Sequence, residues 1–291
     1  MESDFTAALR AGLPSGMRYV FSIGMRVRVV ALLDVMSKRT LPMKFITRFT
    51  SLAIGLAVVL ASSAGAQALA TFGSAEVAGF GEGSALLGTS LSTGHQGLGP
   101  IAGLVGQTYR YRDAQTSHAQ AYAISPSVGL QYTMPMSAVS ASVGYSFVST
   151  QFDQVVSGGQ LGGTSGVFVS GQGNYWGNGE NSAQVIGSYG FKSEYYWSRV
   201  RAAHRLAPSA QPIYLGGEFV LQGTQQGYVN RNTGLRGSSE TRYEVGPTIE
   251  YRISPEFRVG ASGGLRGGNN STSQSGYARV EFLLLTRLAG M

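Results

Sequence analysis

Apolar and polar positions alternate without interruption between residues 242 and 253. The odd positions hold Tyr243, Val245, Pro247, Ile249, Tyr251 and Ile253, and the even positions hold Arg242, Glu244, Gly246, Thr248, Glu250 and Arg252. Such alternation predicts a β-strand with one apolar face and one polar face. Pro247 interrupts the apolar face with a residue that has no backbone N–H, so we expect a β-bulge at that point.

The same two-residue period recurs along the chain, for example in residues 121–132, 138–150 and 256–267. No segment after residue 68 shows a helical stripe, and the frequent glycines disfavour helix. Gly, Pro, Asn and Ser clusters divide the chain into twelve candidate strands. They cover residues 73–81, 84–92, 100–112, 119–133, 137–151, 166–176, 183–192, 194–206, 212–224, 240–253, 256–267 and 275–287. The sequence therefore predicts an all-β fold.

The connections between these strands differ in length in a regular way. Four short links cover residues 134–136, 177–182, 207–212 and 254–256, and three long Gly-rich and polar links cover 152–165, 225–239 and 267–275. In a twelve-strand meander the short links share one end and the long links share the other, with 192–193 as the one exception. This asymmetry is typical of transmembrane barrels. We therefore predict a single antiparallel up-and-down transmembrane β-barrel of about 12 strands, with 10–12 as the range.

Charge content favours lipid rather than water outside the barrel. Residues 67–291 hold 14 basic and 12 acidic residues among 225 positions, which is few for a water-exposed surface. The polar faces consist mainly of Gly, Ser, Thr and Gln, and tyrosines stand at the ends of the apolar stripes, where an interfacial girdle requires them. A secreted β-sandwich with its apolar face inside is the alternative.

The first 68 residues have the composition of a leader. Residues 43–49 form a short basic start, residues 51–61 an uncharged apolar run, and residues 62–70 a small-residue segment. This layout predicts a signal peptide over residues 43–68, cleaved after Ala66 or Ala68. Residues 1–42 precede an ordinary start at Met43 and are interpreted as an upstream extension outside the fold. The barrel is then residues 69–291, exported to the outer membrane of a Gram-negative bacterium.

The net charge does not indicate a nucleic-acid partner. Of the formal charge of +7, residues 1–66 account for +5, so the basic excess belongs to the leader. Cysteine is absent, which excludes thiolate metal sites, and we expect neither a metal nor a cofactor. The expected partners are outer-membrane lipid and a polysaccharide or oligosaccharide.

Charged residues on the polar faces become the candidate lumen lining. They are Arg199, Arg201, Arg205, Glu218, Arg242, Glu244, Glu250, Arg252, Glu256, Arg258, Arg266, Arg279 and Glu281, to which Arg110 and Arg112 of the third strand add, together with the aromatic residues Tyr195 and Trp197. Two interpretations are open. The charges form a ladder of ion pairs across neighbouring strands that fills the interior, or arginines and aromatic rings form a selectivity surface for acidic or neutral sugars.

The sequence holds no recognisable catalytic motif. Three histidines occur, at His95, His118 and His204, and none stands beside a serine in a distinctive context. Asp113 and Asp153, the only aspartates after the leader, lie beside predicted loops. We therefore predict that the protein is not an enzyme, with an outer-membrane lipid or lipopolysaccharide hydrolase as the remaining enzymatic alternative.

Residues 194–268 resemble the cellulose-biosynthesis-associated outer-membrane barrels. The family pattern is a strand with a Tyr-Trp/Tyr-x-Arg-x-Arg motif, a short turn, and a strand of the Leu-Gly-x-Glu type. Tyr196, Trp197, Arg199 and Arg201 fit the first strand, and Leu215, Gly216, Gly217 and Glu218 fit the second. The resemblance implies envelope work linked to exopolysaccharide production or secretion. The alternative function is a passive channel for small oligosaccharides or nutrients, anionic ones included.

Overall fold

The chain forms a closed antiparallel β-barrel of twelve strands. A computed structural model describes residues 67–93, 96–112, 118–152, 165–177, 179–206, 212–225, 239–269 and 274–288. Each strand pairs with the next along the chain, and β12 pairs with β1 to close the ring. The predicted all-β, up-and-down transmembrane barrel is confirmed.

The strand bounds follow the predicted segments closely except at the first strand. The twelve strands are β1 (Gln67–Ala78), β2 (Gly83–Ser92), β3 (Gly97–Arg112), β4 (His118–Met134), β5 (Ser137–Phe152), β6 (Gly166–Tyr175), β7 (Asn181–Gly190), β8 (Tyr195–Arg205), β9 (Ile213–Thr224), β10 (Glu240–Arg252), β11 (Phe257–Gly268) and β12 (Ser275–Leu288). One 3-10 turn, Gly79–Gly81, joins β1 to β2. Among the residues described here, no helix is long and apolar enough to cross a membrane.

β1 begins two residues before the predicted barrel boundary at residue 69. Gln67 and Ala68 already pair with β12 and extend the sheet. The predicted signal peptide otherwise falls on residues 43–66, and the predicted upstream extension on residues 1–42. Both lie outside the described residues, so the leader stays a prediction. Of the two predicted cleavage points, only cleavage after Ala66 would leave all of β1 in the mature chain.

The two faces of the barrel wall are inverted relative to a water-soluble protein. Large apolar side chains such as Val128, Leu130 and Val143 are exposed on the outside, whereas Glu218 and Glu244 are buried inside. Alternation along each strand produces this separation, because successive side chains point to opposite faces. An apolar exterior around a charged interior fits a hydrocarbon surrounding.

The two rims carry connections of different length. The short-loop rim holds the connections 93–96, 135–136, 176–180, 206–212 and 253–256. The long-loop rim holds 79–82, 113–117, 153–165, 191–194, 225–239 and 269–274. β1 starts at the short-loop rim, which in barrels of this kind faces the periplasm.

Pro247 does not create the expected bulge. The β10–β11 register is the same on both sides of it, with Val245 opposite Leu265 and Thr248 opposite Ser262, so no residue is inserted. Pro247 instead lies at an interruption of the ladder, as Pro126 does between β4 and β5. A missing donor costs one hydrogen bond, whereas a bulge would move every following side chain off its face.

Charge introduced on the outer face tests the orientation of the wall. Val143 lies near the middle of β5, and Val139 lies close to its short-loop end; both are exposed on the outside. We expect Val143→Arg to cost about 2–4 kcal/mol of unfolding free energy, since it places a guanidinium at mid-membrane depth, and Val139→Arg about 0–1 kcal/mol. Denaturant titration of the protein folded in lipid vesicles measures both, and equal costs would contradict a lipid-facing β5.

Candidate functional site

Charged side chains converge inside the barrel from the strands β8 to β12 and β1. Arg201 and Glu218 occupy directly paired positions on β8 and β9, and Arg279 and Glu76 do so on β12 and β1. Only every second side chain of a strand points into the lumen, and these charged residues all lie at such inward positions. Their clustering on six consecutive strands gives the lumen one charged side.

Arg279 is the most highly connected of these residues. Its Nη1 lies 2.7 Å from Glu218 Oε1, and its Nε donates to Glu76 Oε2 at 2.9 Å. Its Nη2 also donates to Glu244. Three carboxylates therefore surround one guanidinium that is almost completely buried.

The pairs join into one connected set, which we call the lumen network. Its members are Arg199, Arg201, Arg242, Arg266 and Arg279 with Glu76, Glu82, Glu218, Glu244 and Glu281. Arg266 links its two ends, since it contacts Glu82, Glu76 and Glu244. Five positive and five negative side chains balance, so the lumen network is neutral as a whole.

Many of these pairs cross the lumen rather than follow the wall. Arg199 of β8 binds Glu281 of β12 at 2.9 Å, four strands away, and Arg242 of β10 binds Glu82, which precedes β2, at 3.0 Å. Arg201 also binds Glu281. The expected ladder between neighbouring strands therefore describes only part of the network. These ion pairs between non-adjacent strands fill the part of the lumen that lies between β8 and β1.

Burial makes the pairing essential. Glu244 is fully buried and Glu218 is 3% exposed, and an isolated carboxylate in such a place would be strongly unfavourable. Each is held by arginine, Glu218 by Arg201 at 2.9 Å and by Arg279. Tyr277 adds a hydrogen bond from its hydroxyl to Glu218 Oε1 at 3.1 Å. Every carboxylate of the network thus contacts at least one guanidinium, and these contacts link six strands. Several buried atoms of the network make no hydrogen bond, namely Glu244 Oε1 and the Nε atoms of Arg199, Arg201 and Arg266.

A second, smaller group of charges lies at the short-loop rim. Arg252 Nε lies 2.9 Å and Arg258 Nη1 3.3 Å from the two oxygens of Glu250. The Arg252 guanidinium also stacks on Tyr214, 3.9 Å from the ring centroid. Two guanidinium groups share one carboxylate here, so this rim cluster (Glu250, Arg252, Arg258, Tyr214) carries one net positive charge.

The opposite side of the lumen is neutral. Among the described side chains that face inward from β2 to β7, none is charged, and hydroxyl and amide groups pair with each other. Ser142 Oγ lies 2.7 Å from Ser170 Oγ, and Gln184 Nε2 donates to Asn174 Oδ1 at 2.9 Å. Arg199 reaches this side, donating to Gln184 Oε1. The wall that faces the charged side is therefore uncharged, and it combines hydroxyl and amide groups with apolar side chains such as Phe168 and Ile186.

The two predicted lumen aromatics both lie on the inward row of β8. Tyr195 and Trp197 share that row with Arg199 and Arg201, nearer to the long-loop rim. The Tyr195 hydroxyl donates to Gln222 Oε1 at 2.9 Å. Tyr195 is nevertheless 39% exposed, although it faces the interior. These rings therefore border accessible space at the outer end of the lumen.

Two predicted lumen charges, Arg110 and Glu256, lie elsewhere. Arg110 lies opposite Gln120 on the row of β3 that carries the exposed Leu98, so it is on the outer face. The predicted inward position of Arg110 is therefore wrong, because the inward row of β3 is the one that carries Tyr109. Glu256 lies in the exposed turn 253–256, where the Ser254 hydroxyl donates to it at 3.1 Å. The side chain of Arg112 is outside the described part.

Arg205 occupies the inward row of β8 at the short-loop rim. Its backbone N–H donates to the backbone carbonyl of Glu180. Two members of the lumen network, Glu76 and Glu82, were not predicted. Glu76 stands next to Val77 in an alternating stretch and is one of few acids in the barrel, a signal that could have found it. Glu82 follows a turn, where periodicity gives no information about direction.

The described residues show little that resembles a catalytic centre. His204 is on the outer row of β8, and its Nδ1 lies 2.8 Å from Asn181 Oδ1. Its other neighbours on that face, Ala202 and Leu215, carry no nucleophile. His95 and the side chain of His118 lie outside the described residues. In the described ranges, no group of three or more His, Asp or Glu side chains is arranged so that it could hold a metal ion.

Comparison with known proteins supplies a family and a fold. The family described as cellulose biosynthesis protein BcsS matches residues 58–286. No curated protein matches the sequence. An outer membrane channel from Pseudomonas putida F1 has a similar structure, with a TM-score of 0.50 and 8% identity over 76% of this chain and 96% of the other. This likeness shows the outer-membrane barrel fold.

Two further solved structures align less closely. The β domain of the Bordetella autotransporter BrkA aligns with a TM-score of 0.42 and 11% identity, over 76% of this chain and 99% of that one. A KdgM porin in complex with disordered oligogalacturonate aligns with a TM-score of 0.38 and 11% identity, over 74% and 98% of the two chains.

Removal of Arg279 should expose the energetic role of the lumen network. Arg279→Gln leaves three carboxylates around an uncharged side chain, and we expect a loss of about 3–5 kcal/mol in unfolding free energy. Arg258→Gln, at the more accessible rim cluster, should cost less than about 1 kcal/mol. Denaturant unfolding in lipid vesicles measures both.

A double variant separates charge burial from packing. Glu244→Gln added to Arg279→Gln removes one of the carboxylates that lost Arg279 as a partner. The double variant should therefore recover part of the lost unfolding free energy. Similar losses for Arg279→Gln and Arg258→Gln, with no recovery in the double variant, would contradict the central role of Arg279.

Proposed function

Because this chain belongs to the family of cellulose biosynthesis protein BcsS, we propose that it serves exopolysaccharide production or secretion, with cellulose as the polymer. It does so as a non-enzymatic barrel in the outer membrane. The observation that carries the proposal is the family match across most of the barrel. The two-sided lumen supports a role in which the barrel admits or holds a neutral polymer.

The lumen network supports this function by fixing the interior shape. Its cross-lumen ion pairs occupy the part of the lumen between β8 and β1, and its five positive and five negative charges balance each other. A solute that crossed the barrel would therefore meet the uncharged wall formed by β2 to β7. That wall offers serine hydroxyls and side-chain amides, such as those of Ser142 and Gln184. These groups bind the hydroxyls of an uncharged sugar without attracting ions.

A passive channel for small anionic oligosaccharides or nutrients is the second candidate. The rim cluster favours it, because Arg252 and Arg258 share only Glu250 and leave one positive charge at the short-loop rim. A guanidinium group binds carboxylates in a bidentate manner. The two functions differ in the solute that passes most easily.

A hydrolase acting on lipid or lipopolysaccharide has less support. It requires a nucleophile beside a general base, and His204 contacts an asparagine instead. Retained activity after His118→Ala and His204→Ala, in any assay where the protein hydrolyses lipid, would remove these residues from consideration.

Deletion of the gene from its host tests the cellular role. We expect cell-surface cellulose, measured by dye binding and by glucose release with cellulase, to fall in the deletion strain and to return with the wild-type gene. The cellulose synthase should remain active in isolated membranes, since the barrel lies downstream of polymerisation. Unchanged cellulose in the deletion strain would contradict the proposal.

Solute flux distinguishes the two candidate functions. Proteoliposomes containing the full barrel should admit neutral cellotriose at least as fast as trigalacturonate of the same length, because the open wall is uncharged. Arg252→Gln and Arg258→Gln should leave cellotriose flux unchanged. Faster passage of trigalacturonate, reduced by either substitution, would instead favour the anion channel.

A further inference from the structure

Four inward-facing side chains with aromatic rings or an amide lie near the long-loop end of the lumen. They are Tyr109 of β3, Tyr195 and Trp197 of β8, and Gln222 of β9. The hydrogen bond from the Tyr195 hydroxyl to Gln222 Oε1, at 2.9 Å, orients one ring and leaves the amide N–H groups of Gln222 as donors. The exposure of Tyr195 shows that this group borders accessible space.

The rings come from nearly opposite sides of the barrel. β3 and β8 are five strands apart in a closed ring of twelve. Tyr109 and Tyr195 both face the lumen near the long-loop ends of their strands. A solute that entered from the long-loop side would therefore meet aromatic rings on both sides.

The charges nearest to these rings are already engaged. Arg242 and Arg266 each bind Glu82, at 3.0 and 3.1 Å, and Arg266 also binds Glu244. The charged side chains nearest to the rings are thus paired within the lumen network. What this end of the lumen offers to a ligand is aromatic surface and amide hydrogen bonding rather than net charge.

This combination suits one class of ligand. In a β-1,4-linked glucan all ring hydroxyls are equatorial, so each sugar has apolar C–H groups on both faces and hydroxyls along its edges. Aromatic rings pack against such faces, and amides bind the edges. Rings on opposite sides of a passage can contact both faces of a flat ribbon at once. Aromatic residues of the lipid-facing girdle cannot do so, since they point away from the lumen.

We propose that Tyr109, Tyr195, Trp197 and Gln222 form a binding site for an uncharged β-1,4-glucan chain at the long-loop end of the lumen. The proposal rests on the proposed role in cellulose production and adds a location and a mode of recognition to it. Trp197 and Tyr195 supply the stacking surface of one wall, Tyr109 faces them, and Gln222 binds the sugar edge.

The two tryptophans of the chain make a direct test possible. Trp197 is at the proposed site, whereas Trp176 lies at the opposite, short-loop rim, where its indole N–H donates to the Pro135 carbonyl at 3.1 Å. In full-length Trp176→Phe protein, titration with cellohexaose should change Trp197 emission in a saturable way. In Trp197→Phe protein, Trp176 should not respond.

Substitutions in the Trp176→Phe background then assign the contacts. Tyr195→Ala removes a stacking ring and should weaken cellohexaose binding about tenfold. Tyr195→Phe keeps the ring but loses the hydrogen bond to Gln222, so its effect should be smaller. Tyr243→Ala is the matched control, because Tyr243 lies at the same rim but faces outward. The heat-dependent shift in gel mobility verifies that each variant folds.

The outcomes separate this site from the proposed function. If deletion of the gene lowers cellulose but Trp197 does not respond to cellohexaose, or Tyr195→Ala binds as tightly as its parent, the site is wrong while the function stands. If deletion leaves cellulose unchanged, the function fails. If hexagalacturonate binds more tightly than cellohexaose, the neutral specificity of the site is overturned.

Discussion

A hydrocarbon surrounding imposes the constraint on which this structure depends. Lipid tails offer no hydrogen bonds, so every backbone group in the wall must find its partner in another strand, and the sheet must close. The pairing of β12 with β1 meets that requirement. The same surroundings exclude charge from the middle of the outer face, which leaves the lumen as the place for most guanidinium and carboxylate groups. Once inside and out of bulk water, those groups must pair with each other. The lumen network is therefore a consequence of the membrane as much as of any function.

Pairing across the lumen has an effect that pairing along the wall would not have. A ladder between neighbouring strands would stiffen the wall and leave the centre free. The contacts of Arg199 and Arg201 with Glu281 instead connect strands four apart and occupy the space between them. The interior becomes two-sided, with an ionic sector of paired charges and an uncharged wall of hydroxyl, amide and apolar side chains. Because Arg279 holds three carboxylates, the sector behaves as one unit, and disruption at its centre should cost more than disruption at the rim.

The two-sided interior connects the fold with the family to which the chain belongs. A neutral wall and an aromatic outer end suit an uncharged glucan, whereas a lumen lined by unpaired arginines would suit an acidic polymer. The rim cluster at the short-loop end carries a positive excess, since Arg252 and Arg258 share Glu250. The chemistry thus changes along the axis of the barrel, from weakly positive at one rim to neutral and aromatic at the other.

The sequence by itself determined the strands, their order and which face of most strands meets lipid. Two-residue alternation is a local property, so Glu218, Glu244 and Arg279 could be assigned to the interior from their neighbours alone. Local patterns failed where alternation was weak, as at Arg110, or where a turn hid the direction, as at Glu256 and Glu82. They also could not show that Pro247 is accommodated without a bulge, because that depends on the register with β11. Only ring closure decided which charges meet. Arg242 and Glu82 are 160 residues apart and come together because closure brings the turn before β2 close to β10.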